Sequence, residues 1–136
     1  MAQLTDQEIF DKALFGIRKQ GYRKSVSGEA CLYRSTQEDG STLACAVGHC
    51  IPDDVAHLWD SGAFVSSIGS IYHRYEEQFS EFFSQESLPL LCGLQTTHDT
   101  MTSPEVFENY MKMIATQYNL VYTPPQEASF VGEVND

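Results

Sequence analysis

Apolar residues recur every three or four positions along most of this chain, which is the signature of helices with one buried face. The first such run is Ile9, Phe10, Ala13, Leu14 and Ile17. It is opened by Thr5 and Glu8, a Thr-x-x-Glu capping box in which each side chain satisfies the other residue's free backbone amide. Leu4 and Ile9 are placed to staple the entry. Gly21 suits the left-handed residue that ends a helix, and Arg18 and Lys19 in the last turn complement the helix dipole.

The pattern then changes. Cys31-Leu32-Tyr33-Arg34 and Thr42-Leu43-Ala44-Cys45-Ala46-Val47 are short extended runs on either side of a polar segment with Asp39-Gly40. This predicts a β-hairpin with a loop longer than two residues, Cys31 lying across from the second strand. Helical spacing returns after Pro52-Asp53-Asp54, a proline and two acids suited to a first turn. Ile68, Ile71, Tyr72, Tyr75, Phe79, Phe82 and Phe83 form one apolar stripe, with Glu76, Glu77 and Glu81 on its wet face. A further helix is predicted from Ser87 to about Asp99, with Leu88, Leu91 and Leu94 inward. The last starts at Ser103-Pro104-Glu105, buries Val106, Phe107, Tyr110 and Ile114, and ends at Asn119.

These elements predict one small α+β domain over residues 1–122: an N-terminal helix, a β-hairpin, then about four packed helices. Residues 123–136, with Pro124-Pro125 and a polar, acidic run, are expected to form a flexible tail, with Phe130 and Val131 as its only docking candidates. The length, 136 residues, and a hydrophobic content of 42% fit a single core. No apolar stretch approaches the roughly 20 residues of a membrane span. The start of the chain lacks a basic, apolar export signal, so a cytoplasmic location is expected, and the four cysteines are expected as reduced thiols.

Charge narrows the class of partner. The net charge is −11, from 19 acids and eight bases, and the signs are segregated. Residues 1–34 hold six bases and four acids; residues 35–136 hold two bases and fifteen acids. An acidic surface repels nucleic acid and anionic membranes and attracts a basic partner. The run Arg18-Lys19-Gln20-Gly21-Tyr22-Arg23-Lys24 is the one segment with anion-binding character, and it is short.

Two constellations could carry chemistry. Cys31, Cys45, His49 and Cys50 are the residue types that ligate zinc, although their spacing matches no common zinc pattern, and no cofactor is expected. Cys45 or Cys31 with His98 and Asp99 suggests a cysteine hydrolase, but neighbours on a helix point about 100° apart, so Asp99 orients His98 only if the helix ends there. Against both stands the plain alternative of buried structural cysteines and a helix-end His-Asp pair. There is no phosphate-binding Gly-Lys-Ser/Thr loop, dinucleotide fingerprint, nucleophile elbow or zinc-protease helix.

Three segments, in this order, carry a resemblance: Cys31-Leu32-Tyr33-Arg34, Cys45-Ala46-Val47-Gly48-His49-Cys50-Ile51-Pro52-Asp53, and Leu94-Gln95-Thr96-Thr97-His98-Asp99. The chain resembles, over residues 8–120, a group of small phage- and prophage-encoded proteins with no assigned activity. It departs from that group in having Cys50 where an apolar residue usually stands, which counts against a metal site, and in its acidic tail. The resemblance implies an accessory protein acting inside an infected bacterium. With the charge, it leads to the expectation of a non-enzymatic protein that binds a basic host or phage protein through an acidic surface including Glu76, Glu77 and Glu81, and so inhibits a defence or nucleic-acid enzyme. The alternatives are a small cysteine-dependent enzyme using Cys45 or Cys31 with His98, and a zinc-stabilised binding module.

Overall fold

The computed structural model describes residues 3–23, 26–27, 30–31, 33–36, 38–60 and 68–124, with backbone alone for Val26, Ser27, Ala30, Cys31, Ser70 and Asp99. Of the expected tail, residues 125–136, including Phe130 and Val131, lie outside the described residues.

Helix α1 spans Asp6–Lys19. Both halves of its capping box are formed, with Glu8 N–H on Thr5 Oγ1 at 3.1 Å and Thr5 N–H on Glu8 Oε1 at 2.8 Å. Ile9, Phe10, Ala13, Leu14 and Ile17 are fully buried. Each of the large ones contributes on the order of 2 kcal/mol by leaving water. Gly21 takes φ +72° as its sequence position predicts, and Tyr22 follows it into the left-handed region at φ 65°.

Two small antiparallel ladders come next. Strands β1 (Val26–Ser27) and β2 (Ala30–Cys31) pair, and β3 (Arg34–Thr36) pairs with β4 (Thr42–Ala44). The hairpin predicted around Asp39-Gly40 therefore exists, but its register differs from the expected one. Arg34 lies opposite Ala44, while Cys31 pairs with Val26 in the other ladder. The second strand stops at Ala44, and Val47–Cys50 forms a single 3-10 turn against α1. The run Cys45-Ala46-Val47 is apolar because it is enclosed, which periodicity alone does not distinguish from a strand.

Five α-helices complete the fold: α2 (Asp53–Asp60), α3 (Ile68–Arg74), α4 (Glu76–Phe82), α5 (Leu88–Thr100) and α6 (Pro104–Tyr118). The long stripe from Ile68 to Phe83 is thus split, because Tyr75 leaves helical geometry at φ −127°, ψ 48°. The amides of Tyr75 and Phe79 still bond to the carbonyls of Ile71 and Tyr75, so the apolar spacing runs through the break undisturbed. Ser103 caps α6 through its hydroxyl, and Asn119 closes it in the left-handed conformation. On α6 the buried residues are Phe107, Met111, Ile114 and Ala115, whereas Tyr110, expected inward, is exposed. The chain stays docked after α6: Val121 N–H bonds to Gln7, and Thr123 O accepts from Arg18 at 2.6 Å. Among the described residues no helix is long and apolar enough to cross a membrane.

Candidate functional site

The three motif segments meet around the 3-10 turn Val47–Cys50. Arg34 on β3 points its guanidinium over this turn. Its Nη2 donates to the carbonyls of Gly48 (2.8 Å) and Ile51 (2.9 Å), and its Nη1 pairs with Asp53 in the first turn of α2. One side chain thus holds both the end of the turn and the start of the next helix. Asp60 closes α2 from the other end, its carboxylate accepting the backbone N–H groups of Tyr33 (2.8 Å) and Arg34 (3.1 Å). Burial raises the Asp60 pKa, and those two amides only partly offset it.

Tyr33 fills the space behind Arg34. Its ring meets Trp59 edge-on at 5.5 Å, and its hydroxyl accepts from Gln95 Nε2 at 3.2 Å. Gln95 in turn accepts the Ile68 N–H at 3.0 Å, so the third motif segment is tied to the first and to the start of α3. A Cβ at Gly48 would fall on the Tyr33 carbonyl. Only glycine allows the turn to approach β3 this closely.

His49 faces the other way, onto α1. Its ring lies against the helix backbone at Gly16, where any side chain would overlap it. Its Nε2 meets Gln20 Oε1 at 2.9 Å, and Gln20 also bonds both backbone groups of Ala44, the N–H at 3.1 Å and the carbonyl at 2.8 Å. Gln20 thereby stands in for a neighbouring strand along the edge of β4. No feature of the sequence singled out Gln20, because its role depends on where β4 ends.

The imidazole of His49 is pushed down to about 4, first by burial and then by the nearby charges of Arg34 and His98. A base whose folded pKa lies below its unfolded value of 6.5 contributes its full stability above pH 6.5 and loses it as pH falls towards 4. We expect His49→Gln to flatten this part of the curve, by at most about 1.4 kcal/mol per pH unit, less what partial solvent contact screens. Urea midpoints of both proteins between about pH 7 and pH 5 measure it. Equal slopes would show that the ring is not held neutral.

Cys45 and Cys50 are placed as internal packing groups, whereas Cys92 is exposed on α5. Cys45 is 2% exposed and its Sγ accepts the Gly48 N–H at 3.3 Å, which shapes the turn. Cys50 directs its thiol at the Ile9 carbonyl, 3.6 Å away, and burial pushes that thiol up to about 12. It carries almost no thiolate at neutral pH. His98 is fully buried on α5, edge-on to Phe107 at 6.1 Å. Cys45 and His98, proposed partners in a hydrolase, both lie in the core, and α5 continues past His98 to Thr100. The side chains of Cys31 and Asp99 lie outside the described residues. Among the described residues no three His, Cys, Asp or Glu side chains are grouped to hold a metal ion. His57 and His73 are exposed on their helices.

Glu76, Glu77 and Glu81 are all exposed on α4, as the stripe predicts. Glu86 is exposed just beyond. The start of α1 is tied alongside, through Gln3 to the carbonyls of Ser80 and Phe83 and through Ser87 Oγ to Asp6. This brings Asp6 beside Ser87, next to the exposed Glu86. Among the described residues the ion pairs are Arg18–Glu108 and Arg34–Asp53, and neither uses an α4 acid. No family model, curated protein or solved structure matches the chain.

Proposed function

We propose that this protein is a phage accessory protein that acts inside an infected bacterium by binding a host or phage protein with a basic surface. The order of the three motif segments, which resembles that of phage- and prophage-encoded proteins, supports this origin. The observation that carries the binding mode is the exposed ridge of Glu76, Glu77 and Glu81, free of ion pairs among the described residues. The other conspicuous acids, Asp60 and Glu108, are spent on internal bonds. Tyr33, Arg34 and Gln95 likewise bond to the fold itself, and Cys45 and Cys50, the candidate nucleophile and ligand, are buried. Unpaired surface charge acts at long range and accelerates encounter with an opposite surface.

Tagged wild-type protein and the triple variant Glu76→Lys, Glu77→Lys, Glu81→Lys are to be used in parallel to capture partners from infected cells. We expect the wild type to retain a basic protein at low salt, with association at least tenfold faster than for the variant, and the difference to shrink as salt screens the charges. All three residues are exposed, so circular dichroism of the variant should match wild type. A partner held equally well by both proteins at every salt concentration would remove the acidic ridge from the interface.

A further inference from the structure

A cavity of about 530 Å³ lies between the C-terminal end of α1 and strand β4. Lys19, Arg23, Ser41, Thr42 and His49 line it, over a floor at Gly16. An adjoining cavity of about 310 Å³ shares Thr42 and His49 and adds Arg34. Among the described residues no carboxylate lines either one, in a protein with a net charge of −11. The fold has gathered several of its few bases around one concave surface. Arg34 is neutralised there by Asp53, but Lys19 and Arg23 are exposed and form no ion pair among the described residues. Asp39 interacts with Arg23 across space, and its carboxylate accepts from the Ser41 amide and hydroxyl at 2.9 and 2.6 Å.

We propose that this cavity binds a small organic phosphate, of nucleotide size, through its terminal phosphate group. The volume lies within the roughly 300–1,000 Å³ of small-molecule sites and is too small for a folded partner. An ammonium and a guanidinium facing one cavity suit a dianionic phosphate, since arginine offers a planar pair of donors and lysine a compact charge. The Thr42 hydroxyl adds a neutral donor. The carbonyls of Gly16, Ile17 and Arg18 at this helix end accept from Gln20, Tyr22 and Gly21, and the charges of Lys19 and Arg23 oppose the negative end of the helix dipole. His49 walls the cavity with its Nε2 engaged by Gln20. Gly16 is what lets that ring lie flat enough to leave the space open. The site uses different residues from the acidic ridge, so either can fail without the other.

The test is calorimetric titration of the full chain with adenosine 5′-monophosphate at low salt, with inorganic phosphate as competitor. We expect saturable binding that phosphate displaces, weakened about tenfold by Lys19→Gln and by Arg23→Gln, at an unchanged melting temperature. Lys12→Gln, which removes an exposed base of the same helix outside the cavity, should bind like wild type. Absence of saturable binding, or equal weakening by Lys12→Gln, would overturn the proposal. A short single-stranded oligonucleotide, with and without a 5′-phosphate, separates the two sources of this group. Binding that ignores the 5′-phosphate would mean a nucleic-acid surface and would also overturn it.

Discussion

Gly48→Ala is expected to cost at least about 3 kcal/mol of folding stability, with a fall in melting temperature on the order of 10 °C. The added methyl would meet the carbonyl of Tyr33, which is backbone and has no alternative rotamer. Tyr33 itself is fixed, its amide by Asp60 and its ring by Trp59, and Arg34 holds the Gly48 carbonyl from the same side. Relief would require β3 and the turn to separate, breaking that clamp. Gly93→Ala is the matched contrast. It lies within α5 where, among the described residues, nothing beyond its own helix backbone and chain neighbours comes within 4 Å of its would-be Cβ, so the same change should stabilise by up to about 1 kcal/mol through helix propensity and a less flexible unfolded chain. Thermal or urea unfolding of the two variants gives opposite signs if the close approach is real. A Gly48→Ala protein within 1 kcal/mol of wild type would mean that the turn is not pressed against β3.

Glu108→Ala should be nearly as damaging, at about 3 kcal/mol. Its carboxylate takes four hydrogen bonds: from Arg18 Nε (2.9 Å) and Nη2 (2.7 Å), and from the hydroxyls of Tyr22 (2.7 Å) and Tyr122 (2.6 Å). Both members of the ion pair have side chains only 12% exposed. Removing one partner of such a pair leaves the other charge desolvated, which is why the loss exceeds what the pair contributes net. Arg18 also stacks over Phe15 and Tyr122 and donates to Thr123, so its release would loosen the segment that follows α6. Glu108→Gln keeps the shape and one acceptor and should cost less than the alanine.

The network also sets a pH dependence. Burial alone would raise the Glu108 pKa, but the bonds from Arg18, Tyr122 and Tyr22 outweigh it and hold the carboxyl below its ordinary value of 4.5. Its stabilisation is therefore complete above about pH 4.5 and is lost as pH falls further. Burial and then Glu108 push both phenols up to about 12. An ultraviolet titration should show two tyrosines ionising late in wild type and earlier in Glu108→Gln. Identical titrations would place the carboxylate away from both hydroxyls.

Local signals in the chain were sufficient wherever the cause of structure is local. The capping box at Thr5 and Glu8, the left-handed Gly21 and Asn119, the Asp39-Gly40 turn and the Ser103 cap each involve residues within a few positions of one another. Their chemistry can be read before anything is folded. The apolar faces of α1 and α5 and the exposed acids of α4 follow from helical spacing in the same way. The break at Tyr75 did not show, because it preserves that spacing. The end of β4 did not show either, because an apolar run reads alike as a buried strand and an enclosed turn.

The candidate site belongs to the other class. Cysteine and histidine drew attention by residue type, yet Cys45, Cys50 and His98 are packed inside the core. The residues that organise the centre are Arg34, Asp60, Gln20 and Gln95. Their bonds span long separations: Gly48 is 14 positions from Arg34, Ala44 is 24 from Gln20, Asp60 is 27 from Tyr33 and Tyr33 is 62 from Gln95. The sequence by itself determined the first and last helices, the hairpin around Asp39-Gly40, their caps and the excess of negative charge, since each depends on neighbours along the chain. Only the tertiary structure decided which strand faces the turn, which bases share a cavity and which acids are consumed by partners. Those depend on contacts between distant residues, and no pattern of spacing encodes the distance between two side chains that meet only after the chain has folded.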